Sequence, residues 1–62
     1  MTRVRIAFPY QGRHRVLDDP VVRFTKAFDL IVTGTDPDLG KVRAFRIDRM
    51  GGRIRRVPRQ GP

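Results

Sequence analysis

Arg43-Ala44-Phe45-Arg46-Ile47-Asp48-Arg49 is the stretch that decides the fold. Strand side chains alternate between two faces. Arg43, Phe45, Ile47 and Arg49 therefore share one face, and Ala44, Arg46 and Asp48 the other. The first face has an apolar centre with an arginine at each end, as expected of a strand crossing a small core. The second is solvent-like, with Asp48 partly balancing Arg46. Three arginines make this the densest candidate site in the chain.

Working backward, Asp36-Pro37-Asp38-Leu39-Gly40 within 35–41 reads as a hairpin connection. Proline presets φ, the aspartates bond nearby backbone, and glycine takes positive φ near the exit. It lacks the closing glutamate of a calcium loop, and the chain has no glutamate at all. Phe28 to Thr35 holds the most apolar run, Leu30-Ile31-Val32, and reads as a strand covered on both sides. Val21 to Thr25 reads as the strand before it, joined through Lys26-Ala27. Asp18-Asp19-Pro20 reads as a turn, with Val16-Leu17 a short extended piece before it. Thr2 to Phe8 alternates as a half-buried strand that Pro9 ends. Tyr10 to Arg15, with Gly12 and Arg13-His14-Arg15, reads as a basic loop. Beyond the opening stretch, Gly51-Gly52 is a break, and 53–57 reads as a last short strand.

About five short strands with tight turns predict an all-β chain, a small SH3-like or Sm-like barrel. Residues 2–57 would form the single domain and 58–62 a loose tail. Phe8, Phe24 and Phe45 are the expected core aromatics. The lack of an amphipathic helix argues against an autonomous helix-turn-helix reader.

The chain has 62 residues, and one so short buries only roughly 60% of the surface its unfolded form exposes. Without cysteine, neither disulfides nor thiolate metal ligands reinforce it, so self-association, a binding partner or a removed neighbouring domain is expected. No apolar run approaches a membrane span or a signal-peptide core. The expectation is a cytoplasmic protein without a membrane partner. Twelve arginines and two lysines against six aspartates give a net charge of +8 and a pI of about 11.7. Such a balance points to a polyanion, because phosphate contacts release counterions and dominate affinity. Arginine suits this role, since its planar fork pairs two oxygens and stacks on bases. The alternative is that arginine-rich usage is compositional and the charge merely solvated.

From Pro20 to Met50 the chain resembles the WYL domain, a bacterial regulatory module. Arg43-Ala44-Phe45-Arg46-Ile47-Asp48-Arg49-Met50 is similar to that family's arginine-rich strand nearly residue for residue. Pro20 and the turn at 36–40 fall at its usual spacing. Where the family has Trp-Tyr-Leu, this chain has Leu30-Ile31-Val32, which keeps strand propensity but removes the ring and phenolic hydroxyl. The resemblance implies an SH3-like or Sm-like barrel in transcriptional regulation that senses nucleic-acid or nucleotide-type ligands. It places Arg43, Arg46 and Arg49 in the ligand patch.

Two further clusters add candidates. Arg53, Arg55, Arg56 and Arg59 offer sequence-independent phosphate attraction. Arg13 and Arg15 with Tyr10 offer a phosphate-contact and stacking loop. Each has a plain alternative as solvated surface, and Arg46 as an ion-pair partner of Asp48 or Asp29. A single histidine without cysteine makes no metal site. No serine, cysteine, asparagine or glutamate is present to build the usual nucleophile and base pairs. No enzyme and no cofactor are expected. The ligand is expected to be nucleic acid, DNA or RNA, or a nucleotide. The alternative is a protein-interaction module that forms a homodimer or engages an acidic protein, such as a phage or mobile-element factor acting on a host regulator.

Overall fold

A computed structural model describes residues 4–58. It is all-β: β1 (Arg5–Tyr10), β2 (Arg13–Phe24), β3 (Leu30–Asp36), β4 (Lys41–Arg46), a 3-10 turn (Ile47–Arg49) and β5 (Arg55–Val57). The strands form one antiparallel sheet in the order β4-β3-β2-β1-β5. The 3-10 turn carries the chain from one sheet edge to the other. On the way Met50 bridges Tyr10, and the Gly51 N–H donates to the Pro9 carbonyl at 3.0 Å. The result is a small barrel-like fold.

Two of the predicted breaks lie inside strands. Pro9 sits within β1, opposite His14. A strand residue's N and C=O point the same way, and the Pro9 carbonyl faces Gly51. Its nitrogen therefore points away from β2, where no ladder donor is needed. The segment 13–15, predicted as loop, opens β2, because the turn needs only Gln11 and Gly12 with φ of 51° and 72°. Two such left-handed residues make the hairpin turn that matches strand twist.

Asp18-Asp19-Pro20 is likewise not a turn but a bulge inside the twelve-residue β2. The register with β3 shifts between Asp18 and Val21, Asp19 has φ of 52°, and its N–H donates to the Val4 carbonyl at 2.8 Å. Here β2 bends closely over β3, which explains Gly34. A Cβ there would lie 2.8 Å from the Asp18 carbonyl oxygen and 3.0 Å from the Leu17 Cβ. Arg5 and Asp18 face each other across β1 and β2 and pair through two bonds, Nε–Oδ1 at 2.6 Å and a second at 3.0 Å. Hydrogen bonding to Asp18 raises the Arg5 pKa, against desolvation.

The hairpin between β3 and β4 forms as expected. Asp36 Oδ1 accepts from the N–H groups of Asp38 and Leu39, and its carbonyl accepts from Gly40. The decisive stretch is only partly a strand, since pairing with β3 ends at Arg46 opposite Ile31. A 3-10 turn then replaces the strand over Ile47–Arg49, with Ile47 still packed against the core and Arg49 exposed.

The core consists of Ile6, Phe8, Tyr10, Leu17, Val32 and Phe45, with Val4, Ile47 and Met50 packed against it. Phe8, Tyr10 and Phe45 meet edge-on, with centroids 4.9–6.5 Å apart, a favourable arrangement of ring quadrupoles. Val32 is buried, but Leu30 and Ile31 are only half-buried, so β3 is not covered on both sides. Phe24 is 72% exposed and is not core, because it lies beyond the bulge, where β1 no longer runs beside β2. Of the predicted tail, Pro58 is exposed and outside any strand, and 59–62 lie outside the described residues, as do 2–3 of the predicted first strand.

Candidate arginine-lined groove

The alternation in β1, β2 and β4 determines where the arginines go. Arg13 pairs with Tyr10 and Arg15 with Phe8, so both arginines project on the core face of the sheet. Arg43 projects there too, two residues before Phe45, opposite Gly34. The three arginines converge at one mouth of the barrel. With His14, Val16, Asp36, Asp38 and Leu39 they line a groove of about 340 Å³.

The Phe45 ring lies beneath two of these arginines. The Arg43 guanidinium carbon lies 5.0 Å from the ring centroid and that of Arg15 lies 5.7 Å away. Both are within cation–π range of one ring. Two cations are thus held close together over one ring, and only Arg43 has a carboxylate partner among the described residues. Arg43 makes a loose contact of 3.4 Å to Asp36 Oδ2. Desolvation pushes the Asp36 carboxyl up, but the Asp38 and Leu39 N–H groups together with Arg43 outweigh it and hold it below its ordinary value. The Arg15 Nε is buried without a hydrogen-bond partner among the described residues. A desolvated donor of this kind costs free energy until it meets an acceptor, and the acceptor that suits guanidinium best is an anionic oxygen.

The remaining candidates are dispersed. Arg46 lies on the opposite face and bonds Asp48 at 2.8 Å and Asp29 at 3.0 Å, clamping the 3-10 turn to the start of β3. Hydrogen bonding to Asp48 raises the Arg46 pKa, and the same contact holds the Asp48 carboxyl low. Arg49 is exposed on the 3-10 turn, and Arg53, Arg55 and Arg56 are exposed on and before β5. No salt bridge within 4 Å involves these four among the described residues. Arg59 lies outside the described residues. Tyr10, expected as a stacking ring, is 8% exposed and belongs to the core. Its ring is taken up by Phe8 and Phe45, leaving no face for a base.

The linear motif therefore supplies one member of the groove, Arg43. Arg13 and Arg15 supply the others, brought in from another hairpin. The sequence signal for this is the period-two run Arg13, Arg15, Leu17, which continues the core face of a strand. Among the described residues no cluster of three metal-binding side chains occurs. Nor, among them, is any helix long and apolar enough to cross a membrane. No family model matches the chain, and no curated protein or solved structure matches it.

Proposed function

We propose that this chain is a non-catalytic regulatory module that binds nucleic acid or a nucleotide-type anion in the groove of Arg13, Arg15 and Arg43. The observation that carries this reading is the buried Arg15 Nε without a partner, set beside Arg43 over the same Phe45 ring. Arg49, Arg53, Arg55 and Arg56 add long-range attraction, consistent with the net charge of +8. The role agrees with what the WYL-domain resemblance implies. Of the arginines that the resemblance points to, Arg43 carries the contact and Arg49 the steering, while Arg46 serves the fold.

Fluorescence anisotropy with labelled single- and double-stranded oligonucleotides and with nucleotides, at low and moderate salt, tests this. Salt-sensitive binding that is lost in Arg13→Glu plus Arg43→Glu is the expected result. Undiminished binding by that variant, or no binding to any of these anions at low salt, would overturn the assignment. A second reading, a protein-interaction module, is favoured by one observation. Val22, Phe24 and Phe28 are 57%, 72% and 86% exposed at one end of the molecule.

A further inference from the structure

Beyond the bulge, β2 and β3 run on as an arm ending in the turn 25–29, with β4 paired to the far side of β3 as far as Ile31. The turn is closed by Thr25 N–H to the Asp29 carbonyl at 2.9 Å and Phe28 N–H to the Thr25 carbonyl at 3.0 Å. Thr25 and Asp29 therefore form a hydrogen-bonded pair, and pairs alternate along an antiparallel ladder. Phe24 opposite Leu30 and Val22 opposite Val32 are then non-bonded pairs. The N–H and C=O groups of Val22 and Phe24 point outward, away from β3. Among the described residues nothing pairs with that edge. Strand β1 accompanies β2 only as far as Asp18, and Val4 accepts from Asp19.

Charge distinguishes the arm from the rest of the chain. Residues 19–31 carry Asp19 and Asp29 against Arg23 and Lys26, a net of zero, so all of the +8 resides elsewhere. A neutral edge with exposed apolar side chains offers little to a phosphate backbone or to an acidic partner. It suits an identical neutral edge.

We propose that the arm is a dimerisation strand that takes the same arm of a second copy, antiparallel about a two-fold axis at Arg23. In that register Val22 of each copy faces Phe24 of the other. Their outward N–H and C=O groups form four hydrogen bonds, and the two Val22-Phe24 pairs join in one apolar strip. Arg23 meets Arg23 of the second copy on the opposite face, where like charges oppose pairing. The interface is small, so the dimer is weak and concentration-dependent. Salt strengthens it by screening both Arg23 and the two +8 bodies, whereas salt weakens polyanion binding. The inference therefore stands or falls independently of the groove.

Sedimentation equilibrium over a wide concentration range is the test. The wild-type mass should rise from 7.2 kDa toward twice that value, at lower concentration in higher salt. Val22→Pro removes an outward donor without touching the ladder to β3, and Phe24→Thr removes an exposed ring. Each should raise the half-dimer concentration at least about tenfold, with the circular-dichroism spectrum unchanged. The chain has no cysteine, so Arg23→Cys reports the register directly. The two cysteines would face each other at a non-bonded pair, with a Cα separation of about 4.5 Å, within disulfide reach. It should cross-link under mild oxidation far faster than Leu39→Cys, an exposed turn control. A mass that stays monomeric into the millimolar range, dimers indifferent to Val22→Pro, or equal cross-linking at the two cysteines would overturn the proposal.

Discussion

Replacing Arg13 and Arg43 by glutamine removes two of the three cations that line the groove while sparing the orphaned Arg15. Each arginine that neutralises a phosphate contributes about 0.9 to the slope of log K against log salt on duplex DNA. Losing two should flatten that slope by about 1.8. Between about 50 and about 200 mM salt, that makes the double variant's loss of affinity about twelvefold smaller than the wild type's. Anisotropy titrations at four or five salt concentrations read this directly. The control is Arg46→Gln. Arg46 is engaged by Asp29 and Asp48, so this change should leave the slope alone and lower the melting temperature. If Arg46→Gln flattens the slope while the double variant does not, the phosphate site lies on the opposite face and the groove assignment is refuted.

Three further outcomes follow from the packing. Gly34→Ala should destabilise by about 1–3 kcal/mol in urea titration, because the new methyl has no room beneath Asp18 and Leu17; an unchanged midpoint would show that β2 does not bend there. Phe45→Ala should cost about 3–5 kcal/mol and also weaken anion binding, since the ring holds Arg15 and Arg43 together. In acid, the Asp36 and Asp48 carboxyls, both held below an ordinary value of 3.8, contribute stability that is fully present above that value. That stability is lost as pH falls through their lower folded-state values. Melting temperature should therefore drop below about pH 4, and Asp48→Asn should shallow the acid limb.

The all-β character, the hairpin at 36–40 and the core roles of Phe8 and Phe45 were legible in the sequence because period two and turn chemistry act locally. Pro9 and Asp18-Asp19-Pro20 misled for one reason. Both are breakers by composition, but each lies where the sheet needs no donor or gains an extra residue. Which side of a strand is laddered is a tertiary fact. Ile47 continued the alternation of Phe45, yet the end of the β3 partner let the backbone tighten into a 3-10 turn. Phe24 showed the same alternation as Phe8. Its exposure follows from the length of β1, which nothing near residue 24 encodes. The groove was the least legible feature, because Arg13 and Arg15 meet Arg43 only through two strand registers.

The place of β5 bears on how the molecule opens. Every other neighbour in the sheet is also the next strand along the chain, closed by a turn of a few residues. Only the pairing of Arg5 with Val57 joins the two extremes of the described chain. Among the described residues, its three residues are joined only by the Met50–Tyr10 bridge and the Gly51–Pro9 hydrogen bond in offsetting the loop entropy of nearly the whole fold. The hairpins should therefore zip early and β5 should dock last and undock first. Hydrogen exchange would register this as early loss of protection at the β1 amides facing β5, while those facing β2 exchange only with global unfolding. Arg55 and Arg56 would then ride on a segment that visits solvent on its own, a tethered cationic strand able to sweep a wider radius than the folded outline of the barrel.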